Sequence, residues 1–297
     1  MIHRPAIIDK TPVKFNLGND FYIHGDAYGK SSDPVVILLH GGGQTRHSWG
    51  DTAISFSKKG WYAMALDARG HGDSNWSDAG DYSADVMAQD LKIIIEQLNT
   101  KPALIGASMG GITSLIAAGE SETTLASALV LVDIAPKTEQ KGIERIFAFM
   151  SAHNEGFESI DDAAMAVANY LPNRQKPTDT SRLEKNLRLK TDGRYYWHWD
   201  PKILTLWKSM TPEIHTLFEE RMYSAAEKLT IPTLIVRGGI SDVVSEKVMA
   251  EFLDVVPNVE SFTVSGAGHM VAGDSNHAFT NAVLEFLERN LKTKTKE

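Results

Sequence analysis

Ser108 stands in Gly106-Ala107-Ser108-Met109-Gly110, a Gly-x-Ser-x-Gly pentapeptide that could present a nucleophile. An apolar run, Ala103-Leu104-Ile105, precedes it, and the helix-forming stretch Ile112–Ala118 follows. In a strand–turn–helix of that kind the serine sits in a strained backbone conformation with its hydroxyl pushed out of the sheet. Side chains two positions either side would collide with neighbouring backbone, which gives Gly106 and Gly110 a steric reason. The helix opening at Met109 also turns free N–H groups towards any charge that develops near Ser108 Oγ.

A serine hydroxyl needs a base to take its proton, and the base needs a carboxylate to orient it. Of the ten histidines, His269 is the best placed, in the flexible loop Gly266-Ala267-Gly268-His269-Met270 just past the apolar run Val259–Val264. His40, His47 and His71 lie on other loops at the same sheet edge. His40 is expected to bond loop backbone and His71 to brace the turn Arg69–Ser74. Two aspartates follow strand ends: Asp133 directly after Ala128–Val132, and Asp242 shortly after Thr233–Arg237. Asp242, 27 residues before His269, is the expected acid, with Asp133 left to brace a loop or hinge. Donors for a tetrahedral oxyanion are expected from Met109 N–H and from His40-Gly41-Gly42-Gly43, where glycines let backbone N–H groups face inward. Gly42 is the expected second donor, with Gly41 lining the site. No Gly-Lys-Ser/Thr follows, so a phosphate loop is the weaker reading.

The elements that must position these groups are legible as an alternation. Val13–Leu17 and Phe21–His24 form a hairpin around Gly18-Asn19-Asp20. Val35–Leu39, Trp61–Leu66, Ala103–Ile105, Ala128–Val132 and Thr233–Arg237 are continuous apolar runs, the mark of strands buried on both faces of a parallel sheet. Helical patterns separate them, and Ser275–Leu291 closes the chain. The expected fold is therefore α/β, a doubly wound, mostly parallel sheet. From Thr138 to Tyr223 only helical pieces are expected: Gly142–His153, Ile160–Tyr170, Thr180–Lys190, Pro201–Lys208 and Pro212–Tyr223. This stretch reads as a helical cap over 136–224, inserted into a core formed by 1–135 and 225–297.

Composition narrows the rest. A chain of 297 residues, 42% hydrophobic and 23% charged, can bury a sizeable core. Cysteine is absent, which excludes disulfides, thiolate metal sites and a cysteine nucleophile. A formal net charge of −8 argues against nucleic acid or an anionic membrane as partner. With no signal pattern at Met1-Ile2-His3-Arg4-Pro5 and no long apolar run, a soluble cytoplasmic protein is expected; a homodimer stays open. No metal and no cofactor are expected.

With these residues in view, the chain resembles the α/β-hydrolase fold superfamily, in a serine carboxylesterase-like branch. The resemblance rests on His40–Gly43, Asp67–Ser74, Gly106–Gly111, Ser241-Asp242 and Gly268-His269, in that order from residue 20 to 291. Serine at 108 separates it from the epoxide hydrolases and dehalogenases, which carry aspartate there. The resemblance implies hydrolysis of small to medium, largely apolar carboxylic esters through an acyl-enzyme. Lactonases, cofactor-free perhydrolases and carbon–carbon bond hydrolases share the triad, and some members of the fold are non-catalytic receptors. The carbon–carbon enzymes usually carry Gly-Pro where this chain has Gln44-Thr45, and they need cationic partners, for which Arg174 and Arg194 are the candidates. Phe147, Phe149, Met150, Trp197, Trp199, Trp207 and Met210 concentrate bulk in the cap. Of these, Phe147, Met150, Trp197 and Trp199 are taken as substrate-binding, around Tyr195-Tyr196-Trp197-His198-Trp199-Asp200. His198 has no partner at metal-ligand spacing.

Overall fold

A computed structural model describes residues 10–171, 180–271 and 276–291. Eight strands form one sheet: β1 (Lys10–Asn16), β2 (Tyr22–Tyr28), β3 (Val35–Leu39), β4 (Tyr62–Leu66), β5 (Ala103–Ala107), β6 (Ala128–Val132), β9 (Thr233–Gly238) and β10 (Val259–Val264). Their spatial order is β1-β2-β4-β3-β5-β6-β9-β10. The opening hairpin makes β2 antiparallel to both neighbours, and every other pairing is parallel. The doubly wound α/β expectation holds.

Alternate residues of the central strands feed two separate apolar layers, which is why these runs carry no polar position. On one face Ile37, Leu104, Leu129, Leu131 and Ile235 pack against α2 (Ala84–Leu98), α3 (Met109–Gly119) and α8 (Glu246–Val255) through Leu91, Ile94, Leu115, Ile116 and Phe252. On the other, Val36, Leu38, Ile105, Val130 and Val236 meet α1 (Gly50–Lys58) and α9 (Asn276–Leu291) through Phe56, Phe279, Val283 and Leu287. Register aligns the strand ends: Leu39 pairs with Gly106, Ala107 with Val132, and Val132 with Val236. Residues 40, 108 and 133 therefore emerge together, each one step beyond its strand. Among the described residues no helix is long and apolar enough to cross a membrane.

Between β6 and β9 lie α4 (Gln140–Ser151), α5 (Ile160–Tyr170), α6 (Ile203–Lys208) and α7 (Pro212–Glu227). A capping box starts α5, with Ser159 Oγ accepting from Asp162 N–H and the Asp162 carboxylate reaching back to Ser159 N–H. The expected helix Thr180–Lys190 is not there. Ser181–Asn186 makes a short 3₁₀ turn and leads into β7 (Leu187–Leu189), paired antiparallel with β8 (Tyr195–Trp197). Gly193, at φ +80°, closes the hairpin, so Asp192-Gly193 was the turn signal that outweighed the helical pattern. The second half of α7 joins the sheet: Met222, Ala225 and Ala226 lie in the first apolar layer, and Arg221 pairs with Asp85 of α2 and with Glu120.

Candidate active site

Ser108 takes φ +47° and ψ −114°, a conformation that costs a non-glycine residue about 1–3 kcal/mol. The fold holds it there from both sides. Ser108 N–H donates to Val132 O of β6, and its carbonyl accepts from Gly111 and Ile112 N–H in the first turn of α3. Close approach fixes the flanking glycines. A Cβ on Gly106 would run into the Gly110 carbonyl, and one on Gly110 into the carbonyl of Leu39. The strand–elbow–helix expected around Ser108 is present.

His269 follows β10 in a side chain only 10% exposed, and its Nδ1 lies 2.7 Å from Oδ2 of Asp133. This corrects the expectation that placed Asp242 against His269. Asp133 directly ends β6 at φ +50°, and its buried carboxylate gathers three donors. Oδ1 accepts from Gly238 N–H at 2.7 Å, while Oδ2 takes the Ser241 hydroxyl and His269 Nδ1–H. The loop after β9 therefore serves to hold Asp133. Ser241 Oγ also accepts from Val243 and Val244 N–H, curling the chain so that the next side chain leaves for α4. Asp242 there pairs with Arg145 of α4, Nη2 to Oδ1 at 2.9 Å, with about a third of its side chain exposed. Both aspartates follow strand ends, and sequence position alone ranks them poorly. With Nδ1–H committed to Asp133, the remaining ring nitrogen of His269, Nε2, is the one left to accept a proton.

The glycine loop after β3 passes directly over the serine: a Cβ on Gly41 would stand 3.4 Å from Ser108 Cβ. Gly41 N–H donates to Gln44 Oε1 at 3.0 Å, and Gln44 N–H returns to Gly41 O at 3.1 Å. Among the described residues no acceptor meets the N–H groups of Gly42 and Met109. Gln44 thus closes the glycine loop on itself, a role that its place after three glycines does not mark in the sequence.

Histidines 40 and 71 do brace loops. His40 bonds Gly41 O and Ala68 N–H, and His71 bonds Arg69 O and Gly43 N–H. Burial pushes both below the ordinary imidazole range, His71 to about 3. His47 is partly exposed near Asp26. Beneath these loops Arg46 ties Asp26, Asp67 and Asp73 together, and the buried Asp67 carboxylate also accepts from Arg46 and Asp73 N–H. That bracing is the structural use of Asp67–Ser74.

Of the residues between β6 and β9 expected at the substrate, Met150 comes closest to the loop. It is 6% exposed, and its Sδ would stand 3.6 Å from a Cβ on Gly42. Trp197 and Trp199 stack on each other with centroids 4.9 Å apart, buried among Phe149, Phe157 and Ile203, and so belong first to an apolar cluster of the segment between β6 and β9. Phe147 and Met109 pack on the edge of that cluster, which carries it to the start of α3. Arg194 gives its guanidinium to the carbonyls of Glu155 and Gly156. Met210 is exposed; Arg174 and the side chain of Trp207 lie outside the described residues.

The sequence profile of the alpha/beta hydrolase fold matches residues 34–275. The chain belongs to that family. It is similar to an esterase of Mycobacterium tuberculosis, 28% identical over 86% of this chain and 84% of that protein. An sn-1-specific diacylglycerol lipase of Mus musculus is 30% identical over 93% of this chain and 85% of its own length. Among solved structures, E-2-(acetamidomethylene)succinate hydrolase superposes with a TM-score of 0.80 at 24% identity, covering 94% of this chain and all of that one. The last likeness carries the fold; the first two place this hydrolase-family chain among proteins named esterase and lipase.

Proposed function

We propose that the chain is a serine hydrolase of small to medium, largely apolar carboxylic esters. The observation that carries this reading is the Asp133–His269 pair at 2.7 Å, set at the same sheet edge as the strained Ser108. Ser108 Oγ attacks the ester carbonyl carbon as His269 Nε2 takes the hydroxyl proton, and Asp133 stabilises the imidazolium through Nδ1–H. The carbonyl oxygen, now an oxyanion, is met by the N–H groups of Gly42 and Met109. Collapse returns the proton to the leaving alcohol and leaves an acyl-Ser108. Water then attacks by the same route and releases the acid. Met150, with Phe147 and the tryptophan cluster behind it, supplies an apolar wall, which suits acyl chains better than charged acids. Arg194's engagement with backbone carbonyls supports the ester reading over a dienoate one. The esterase and lipase among the relatives point the same way.

Rapid mixing with a p-nitrophenyl ester tests it. Wild type is expected to release a burst equivalent to one nitrophenolate per active site, and Ser108→Ala to lose about 10⁴-fold or more in kcat. Near-native hydrolysis by Ser108→Ala would overturn the nucleophile. A panel of short, long and aryl esters, lactones and a dienoate then fixes the substrate class.

A further inference from the structure

Three buried imidazoles stand outside the triad and form a row. His40 and His71 have ring centroids 5.0 Å apart, and His71 and His198 5.8 Å apart. All three are at most 2% exposed. Each ring nitrogen faces a backbone group, and those partners dictate where the protons sit. Ala68 N–H donates to His40 Nε2 at 3.0 Å, so Nδ1–H donates to Gly41 O at 2.8 Å. Gly43 N–H donates to His71 Nε2 at 3.2 Å, so Nδ1–H donates to Arg69 O at 3.1 Å. Gly72 N–H donates to His198 Nδ1 at 2.8 Å, so Nε2–H is left to donate to Gly43 O, the longest contact at 3.4 Å.

Peptide planarity converts these bonds into direction, because the C=O and N–H of one peptide point opposite ways. Gly41 O accepts from His40 Nδ1–H and Gln44 N–H, which aims Gly42 N–H, in the same peptide, the other way. The next peptide is held at Gly43 N–H by His71, and the one after it at Gly43 O by His198. His40 and His71 belong to the sheet domain, whereas His198 follows β8 in the inserted segment. Two neighbours from that segment rest on the same loop: Met150 against Gly43, and Asn186 Oδ1 accepting from Thr45 Oγ at 2.8 Å.

We propose that His198 is a positioning residue for the oxyanion loop. From the cap it holds the Gly43 carbonyl and backs His71, so that the aim of Gly42 N–H depends on the cap being seated. Its effect on rate rests on the ester-hydrolase reading; its effect on the loop does not.

Two substitutions separate the two ends of the imidazole. His198→Asn keeps an acceptor for Gly72 N–H and loses the donor to Gly43. His198→Gln carries an amide N–H to about the Nε2 position. Hydrogen exchange at the Gly43 and Gly42 amides is measured beside kcat and KM for a p-nitrophenyl ester. In His198→Asn, Gly43 exchange is expected to rise about tenfold and kcat to fall about tenfold, with KM within about threefold. His198→Gln is expected to recover most of both. Unchanged exchange at Gly43 in His198→Asn, or equal losses in the two variants, would overturn the proposal. Nitrogen-15 NMR of the wild-type imidazoles gives a test free of substitution. The proton is expected on Nε2 of His198 and on Nδ1 of His40 and His71, and a proton on Nδ1 of His198 would contradict the assignment. If wild type hydrolyses no ester, the functional reading falls while exchange and tautomers still decide the role of His198.

Discussion

Asp133 and Asp242 leave adjacent strands of one sheet, yet their surroundings share almost nothing. Asp133 is wholly buried, sits at φ +50° and gives both oxygens to Gly238 N–H, Ser241 Oγ–H and His269 Nδ1–H. Asp242 is about a third exposed and holds one partner from α4, Arg145. A buried carboxylate is tolerated only when its lone pairs are met, and three donors meet this one. The loop after β9 spends its geometry on satisfying its neighbour's carboxylate, which frees its own for a surface ion pair. Standing just past a strand end thus does not by itself bring a carboxylate to His269; the donor set decides which aspartate does.

The largest separation between the two regions is expected in turnover. Asp133→Asn keeps the shape but replaces a charge by an amide, which destabilises the imidazolium and allows the wrong tautomer at His269. A loss of about 10³ to 10⁴-fold in kcat is expected in an ester assay. Asp242→Asn removes a half-exposed ion pair worth at most about 1 kcal/mol, so kcat is expected to stay within about threefold and the unfolding midpoint to fall slightly. A reversed ranking would return the orienting role to Asp242.

A second contrast lies between His269, bonded to a carboxylate, and the buried row His40, His71 and His198, bonded to backbone. Burial holds that row below the ordinary imidazole range when folded, whereas an unfolded chain protonates near 6.5. Below that pH the unfolded state binds protons that the folded state refuses, so stability falls as pH drops from about 6.5 towards about 3, where His71 titrates. Each refused proton contributes a slope of about 1.4 kcal/mol per pH unit. Urea midpoints at pH 7, 6 and 5 are expected to decline, and less steeply in His198→Gln. A flat series would mean that the row takes up protons while folded.

Much of the fold was legible because burial on both faces leaves an unmistakable pattern. Val35–Leu39 and Ala128–Val132 have no polar position, and the sheet uses both sides of each. Ser108 and His269 were legible because their turns need particular glycines and loops. Asp133 was not, since its qualification lies in Gly238 and Ser241, more than a hundred residues away in sequence. Strands β7 and β8 were missed because three residues are too few for alternation to show. The aromatics between β6 and β9 read as pocket lining, but Trp197 and Trp199 turn towards each other, a choice made by packing partners that composition does not reveal.

At 2.7 Å, Asp133 Oδ2 holds the Nδ1 proton of His269. Proton NMR of the wild type is expected to show that proton well downfield of the backbone amides, as a hydrogen bond to a buried carboxylate requires. The resonance is expected to be lost or shifted far upfield in Asp133→Asn and unchanged in Asp242→Asn. Its persistence in Asp133→Asn, with loss in Asp242→Asn, would contradict it.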